Sequence, residues 1–355
     1  MKGVILHGGN GTRLRPLTYT DVKQLLPIAG KPVSEYVLEG LMEIGIKEVN
    51  IIVGEIGANE VRGYYGDGSK WGLKITYTFQ EKPMGIAHAI SLAKDFTGQD
   101  EFVVVLGDNY FHDGLTSLFH KFRNTKCDAL VALTKVRNPS QFGVAEIEGG
   151  KIRTLLEKPK KPKSDLAIAG AYFLKPAIYD IISGLKPSWR GELEITEAFQ
   201  TMLQSGMSIA YSIIEGWWKD TGTADEFLEC NRMILDKMKP SENTPVLDAN
   251  VFGRVAIGKG TSIDRESRIM GPVFIGEGTI IEQSYIGPYT SIGSNCIIKH
   301  SEIEDTVIMD GCSIVLRDGK RIRQSLVGPN SKIDPLENDL KPIKLILGRD
   351  TKLEI

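Results

Sequence analysis

Short apolar runs separated by amphipathic stretches fill the first two thirds of the chain, and a six-residue aliphatic step takes over in the last third. Val4-Ile5-Leu6, Val49 to Val53, Lys74 to Gln80, Phe102 to Leu106 and Asp128 to Thr134 read as strands. Between them, Tyr36, Val37, Leu41 and Ile44 recur at helical spacing from Pro32 to Gly45, and further helices are predicted near Ile86 to Lys94 and Leu115 to Phe122. Such alternation predicts an α/β fold with a doubly wound, mostly parallel sheet, whose ligands bind outside the carboxyl ends of the strands. A helix from about Ala224 to Met238 ends this part.

Lys239 to Pro245 then reads as a linker. Beyond it Val251, Ile257, Ile263, Ile269, Ile275 and Ile281 occupy every sixth position, and Ile286, Ile292 and Ile298 resume the step after a slip of one residue. This is a hexapeptide repeat, the mark of a parallel β-helix in which each turn of chain buries its aliphatic residues against the next. Past Leu326 the pattern loosens. The predicted boundaries are 1–238 for the α/β domain, 239–248 for the linker, 249–340 for the β-helix and 341–355 for a strand-like tail. The open ends and flat faces of a solenoid predict a homo-oligomer.

Composition narrows the partners. A chain of 355 residues exceeds one typical core, and a net charge of −2 offers no broad footprint for nucleic acid or an anionic membrane. The N-terminus enters a strand by residue 3 and no apolar run approaches the length of a membrane span, which predicts a cytoplasmic protein. Cys127, Cys230, Cys296 and Cys312 are widely spaced and read as free, mostly buried thiols.

The chemistry begins after the first strand. Gly8, Gly9 and Gly11 let main-chain N–H groups approach an anion without a Cβ in the way, and Arg13 and Arg15 follow to neutralise phosphate oxygens. Thr12-Arg13 stands where a P-loop ends in Lys-Ser/Thr, and Leu14 where a dinucleotide fingerprint has its third glycine, so neither an ATPase nor a dehydrogenase is suggested. Asp108 follows the apolar run Val103 to Leu106 and Gly107, at a strand's carboxyl end. A turn cap would account for it, but a phosphate site needs a hard cation, and a metal ligand is the favoured reading.

Gly8-Gly9-x-Gly11-Thr12-Arg13-Leu14-x-Pro16-x-Thr18, followed by Lys23-Gln24-Leu25-Leu26-Pro27, resembles the signature of sugar-1-phosphate nucleotidylyltransferases, most closely the long-form glucose-1-phosphate thymidylyltransferases. The resemblance extends to Gln80-Glu81-Lys82-Pro83-Met84-Gly85, Glu157-Lys158-Pro159, Arg190-Gly191-Glu192-Leu193-Glu194-Ile195-Thr196 and Trp218-Lys219-Asp220-Thr221-Gly222-Thr223. It implies that the β-helix is left-handed and that the triphosphate loop with Gln24 and Gln80 holds dTTP or UTP, Gly85 allowing close approach. It further implies that Glu157 meets sugar hydroxyls, that Gly143, Ile168 and Gly170 line the glucose 1-phosphate pocket, and that Asp108 and Asp220 share Mg²⁺. Arg13 is then assigned to the leaving pyrophosphate, Lys158 and Arg190 to the sugar phosphate, and Lys23 to phosphates near the reaction centre. Two residues depart from the pattern: His7, where the family carries a small residue, and Phe142, where relatives often carry Tyr.

Three functions are compatible with these residues. The first is Mg²⁺-dependent transfer of a nucleotidyl group to glucose 1-phosphate. The second adds acetyl transfer at His300, since many hexapeptide-repeat proteins are acyltransferases. The third is a regulatory subunit that only binds nucleotide sugars, against which the full set of phosphate and metal residues argues.

Overall fold

The computed structural model describes residues 1–9, 11–239, 250–316, 320–334 and 345–354. The linker expected at 239–248 falls, apart from Lys239, outside the described residues. Contacts group the chain into two units, one of residues 1–9 with 34–219 and one of the described residues of 10–33 with those of 220–355. The first unit therefore lacks the segment after Gly9, which clusters instead with the C-terminal part of the chain.

In the first unit β1 (Lys2–His7), β2 (Glu48–Val53), β3 (Lys74–Phe79) and β4 (Phe102–Leu106) are parallel, in the spatial order β4-β1-β2-β3. Val4, Ile5, Ile51, Val103 and Val104 have no exposed surface, because helices cover both faces of a parallel sheet. The chain order reverses at β1, flanked by β2 on one side and β4 on the other, so the crevice at their carboxyl ends is the switch point of the sheet.

Beyond β4 the sheet turns antiparallel, which simple alternation did not predict. It continues through β5 (Ala129–Lys135), β6 (Gly143–Glu148), β7 (Lys151–Glu157), β8 (Leu166–Leu174) and β9 (Ile209–Ile213). β8 runs against β4, β5 and β6, while β9 is parallel to β5. β6 and β7 form a hairpin on Gly149-Gly150, both at positive φ, as a two-residue turn with the twist of its strands requires.

In the second unit the repeat closes into three parallel sheets, a left-handed β-helix. Its interior is three aliphatic stacks: Val251, Ile269, Ile286, Ile303 and Ile322 on one face; Ile257, Ile275, Ile292, Ile308, Val327 and Leu347 on the next; and Ile263, Ile281, Ile298, Ile314, Ile333 and Leu353 on the third. The described part of the tail adds a further coil, with Ile346–Leu347 and Lys352–Glu354 pairing onto the sheets below them.

From the second stack to the third the step is always six residues, and a ladder at that corner holds it. Thr261, Thr279 and Ser331 donate their hydroxyls to the carbonyls of Gly276, Gly293 and Gly348 at 2.7, 2.8 and 2.9 Å. Cys296 and Cys312 do the same with thiols, to Met309 and Gly328 at 3.2 and 3.1 Å. All four cysteines are free and buried, as expected.

The second unit also contains the segment after Gly11. Asn231, fully buried on the helix Ala224–Lys237, accepts from the main chain of Ala29 and from Ser291 Oγ, and donates to the Tyr289 carbonyl. Asp21 forms an ion pair with Arg349.

Candidate active site

At the end of β1 the sheet changes from apolar to open. Gly107 follows β4 beside it, donating its N–H to the Leu6 carbonyl at 2.9 Å, and a Cβ on Gly107 would lie 2.7 Å from the His7 ring. His7 is 3% exposed, packs edge-on against Tyr65 at 6.1 Å, and has no hydrogen-bond partner for either ring nitrogen. Burial lowers its pKa to about 3, against an opposing pull from Asp108, so the ring is neutral. The departure at His7 is thus absorbed beside Tyr65 and Gly107, whereas a Cβ on Gly8 would face Gln80 Oε1 at 3.0 Å.

Asp108 accepts a hydrogen bond from Asn109 Nδ2 at 2.7 Å. Asn109 itself is buried, and its Oδ1 accepts from Trp218 Nε1 at 2.8 Å and from the Gly170 N–H at 3.2 Å. Asn109 therefore ties Asp108 to two other segments. Sequence reasoning missed it because Asp-Asn reads as an ordinary turn pair. The N–H of Gly170, expected to face the sugar, is spent on this side chain, and a Cβ on Gly170 would lie 2.5 Å from Asn109 Oδ1.

A second cluster gathers the residues assigned to the sugar phosphate. A Cβ on Gly143 would lie 2.5 Å from Thr196 Oγ1, 3.1 Å from Ile168 Cδ1 and 3.2 Å from Glu157 Oε2. Thr196 donates to Glu157 Oε2 at 2.7 Å, while Lys158 Nζ lies 3.8 Å from Glu157 Oε1. Lys158 holds a left-handed backbone, φ 40°, a conformation that a lysine adopts only when its surroundings impose it. Arg190 is shared among Glu157 at 3.4 Å, Glu192 at 2.9 Å and Glu194 at 3.3 Å. Burial raises the pKa of Glu194, opposed by a hydrogen bond from Ser188, and burial likewise raises that of Glu197, with Glu157 nearby adding to it.

Gln80 follows β3 and is anchored by its N–H to the Val53 carbonyl at 2.8 Å. Gly85, expected to make room for ligand, instead makes room for protein: a Cβ there would lie 2.5 Å from the Leu193 carbonyl oxygen. Gly9 differs, since a Cβ would meet nothing within 4 Å.

The remaining candidates lie in the second unit. Gly11, at φ 56°, opens a turn over Thr12–Leu14, and its carbonyl accepts from Thr18 Oγ1 at 2.7 Å. Lys23 and Gln24 are buried. Arg13 Nη2 lies 3.9 Å from Asp220 Oδ2, with the arginine side chain 59% exposed and the aspartate 19%. A Cβ on Gly222 would lie 2.6 Å from Arg13 Nη2, and Thr223 with Glu226 forms a capping box that starts the following helix. Among the described residues no group of three or more His, Cys, Asp or Glu side chains converges as a metal cage.

His300 is exposed at a coil corner with φ 49°, matching Gln283 at φ 47° one coil below. Histidine tolerates the left-handed region better than most residues, which gives His300 a backbone role at its corner. No helix among the described residues is long and apolar enough to cross a membrane.

Comparison with known proteins adds to this geometry. Residues 2–237 match the nucleotidyl transferase family. The chain is 45% identical over 358 residues to a glucose-1-phosphate thymidylyltransferase of Streptomyces antibioticus, covering 100% of this chain and 99% of that protein. It is 43% identical over 359 residues to the low-salt glycan biosynthesis nucleotidyltransferase Agl11 of Haloferax volcanii, covering both chains fully. A crystal structure from Bacillus anthracis, described as a glucose-1-phosphate thymidylyltransferase in complex with sucrose, superposes with a TM-score of 0.63 at 39% identity, over 68% of this chain and 98% of that one.

Proposed function

The chain belongs to the nucleotidyl transferase family, among the glucose-1-phosphate thymidylyltransferases, and we propose that it transfers the thymidylyl group of dTTP to glucose 1-phosphate, releasing pyrophosphate. The observation that carries this reading is the gathering of Lys158, Arg190 and Thr196 around Glu157 in one polar cluster beside Gly143. Gly143 lies against this cluster too tightly for a side chain, as Gly8 does against Gln80 Oε1.

Two polyanions must meet, so positioning and cations carry the reaction and no covalent nucleophile is required. A phosphate oxygen of glucose 1-phosphate attacks the α-phosphorus of dTTP in line, and the bond to the bridging oxygen of the leaving pyrophosphate breaks. Exposed Arg13 receives the pyrophosphate, and Lys23 the phosphates near the reaction centre. Lys158 holds the sugar phosphate, and Glu157 accepts from sugar hydroxyls. Arg190 reaches the same phosphate by exchanging one of its three carboxylate partners.

On this reading Asp108 and Asp220 would hold Mg²⁺, since both offer the hard carboxylate oxygens of which such a cation takes one or two, completing its shell with water and substrate phosphates. Bound there, it would supply Lewis-acid charge neutralisation at the phosphates. The same reading carries a cytoplasmic location and a homo-oligomer assembled through faces of the β-helix.

Pyrophosphate release with Mg²⁺ and glucose 1-phosphate, measured for dTTP, UTP, ATP, GTP and CTP, tests this function. Release is expected to be strongest with dTTP and to fall at least about a thousandfold in Asp108→Asn. Silence of the native protein with all five nucleotides would refute it.

A further inference from the structure

Gln80 Oε1 lies against Gly8, 3.0 Å from where a Cβ there would stand, and the other end of its amide is held by His88, a residue outside the set assigned above. Gln80 Nε2 lies 2.8 Å from His88 Nδ1. An amide nitrogen only donates, so the imidazole accepts at Nδ1 and carries its proton on Nε2. With Nε2 thus occupied, Gln80 turns its carbonyl oxygen, an acceptor with no hydrogen of its own, toward Gly8.

The two residues are firmly placed. Gln80 is 4% exposed. His88 sits on the short helix Ile86–Ser91, whose start is fixed where Ala87 donates to the Leu193 carbonyl and Gly85 packs against the same main chain. Ser91 Oγ and the Leu92 N–H both bond to the His88 carbonyl, fixing the main chain from which the half-buried ring projects.

We infer that His88 is a positioning residue that sets the end of the Gln80 amide presented to the nucleobase, and so selects bases with an N3–H donor over cytosine. This rests on the function proposed above and deepens it. Thymine and uracil offer N3–H to the Gln80 carbonyl; cytosine offers a lone pair there, and two acceptors meet. A site built around one hydrogen bond discriminates strongly against an analogue that leaves it unmade. Thymine and uracil are not separated by this device.

The test compares kcat/KM for dTTP and dCTP with glucose 1-phosphate in the native enzyme and in His88→Glu, His88→Leu and His88→Lys. Effects on the triphosphate, common to both nucleotides, cancel in the ratio, and the uncharged leucine variant separates the amide from the direct action of a charge on the base. Glutamate only accepts and keeps the native dTTP preference. Lysine only donates, so it turns the Gln80 carbonyl toward itself and the amide nitrogen toward the base, shifting the ratio toward dCTP by about tenfold or more, chiefly through KM. Leucine, which holds neither end, gives an intermediate ratio. A native-like ratio in both the lysine and leucine variants overturns the inference while leaving thymidylyl transfer intact. Equal use of dTTP and dCTP by the native enzyme does the same. Absence of turnover in the native enzyme instead removes the function on which the inference rests.

Discussion

Gly143 and Gly276 are both glycines at which an added methyl would collide, and they represent two uses of close approach. At Gly143 the nearest atoms are Thr196 Oγ1, Ile168 Cδ1 and Glu157 Oε2, all at the ends of side chains. At Gly276 they are main-chain atoms of Gly293 and Ser294 in the next coil, 2.5 Å away. At Gly143 the missing side chain admits the ends of neighbouring side chains, whereas at Gly276 it brings backbone onto backbone. A collision at the first site should therefore disturb chemistry, and one in the second should disturb folding.

That contrast can be broken by experiment. The largest effect is expected at Gly143→Ala, with kcat/KM for glucose 1-phosphate falling about a hundredfold, because displacing a positioning group by an ångström costs that much. The melting temperature should stay within a few degrees of the native value; a protein that instead unfolds would make Gly143 a packing residue like Gly276. A smaller effect, confined to acid, is expected at His7. Unfolded, this histidine takes a proton below its ordinary pKa of 6.5, but folded it does so only near 3. The unfolded state binds more protons between those values, so stability is lost as pH falls through that window, by up to about 1.4 kcal/mol per pH unit. His7→Phe removes this component, and its unfolding free energy should decline less steeply from pH 6 to pH 4. An unchanged slope would mean that His7 is not what senses acid. The smallest effect is expected deep in the β-helix, at Ile298→Val, with a loss of about 1 kcal/mol in stability and unchanged kinetics.

Legibility followed the same division. The parallel strands β1 to β4 could be read because apolar runs alternate with helices, and Gly8 and Asp108 at their ends stood out as glycine or acidic breaks in that alternation, whereas Gln80 gained its role only from the family resemblance. β6 to β8 escaped because two hairpin strands and a nine-residue apolar strand follow one another with no helix between to mark them. Glu157 and Lys158 were reached only through family resemblance, for a Glu-Lys pair is an ordinary solvated pattern. Asn109 and His88 had no signal at all, since each acts through the neighbour it holds. In the β-helix the repeat was legible to Ile298. After that the inward series runs Ile303, Ile308 and Ile314, and steps of five hide a stack that continues unbroken.

The hydroxyl and thiol ladder at one corner has a consequence for how such a chain can change length over time. Successive residues of the first stack are separated by 18, 17, 17 and 19 positions, from Val251 to Ile269, Ile286, Ile303 and Ile322. None of that variation falls at the ladder, where the step stays at six. Differences in coil length fall at the other two corners, while the step at the ladder corner stays the same from coil to coil. The corner stitched by Thr261, Thr279, Cys296, Cys312 and Ser331 acts as the spine against which the remaining chain is free to drift.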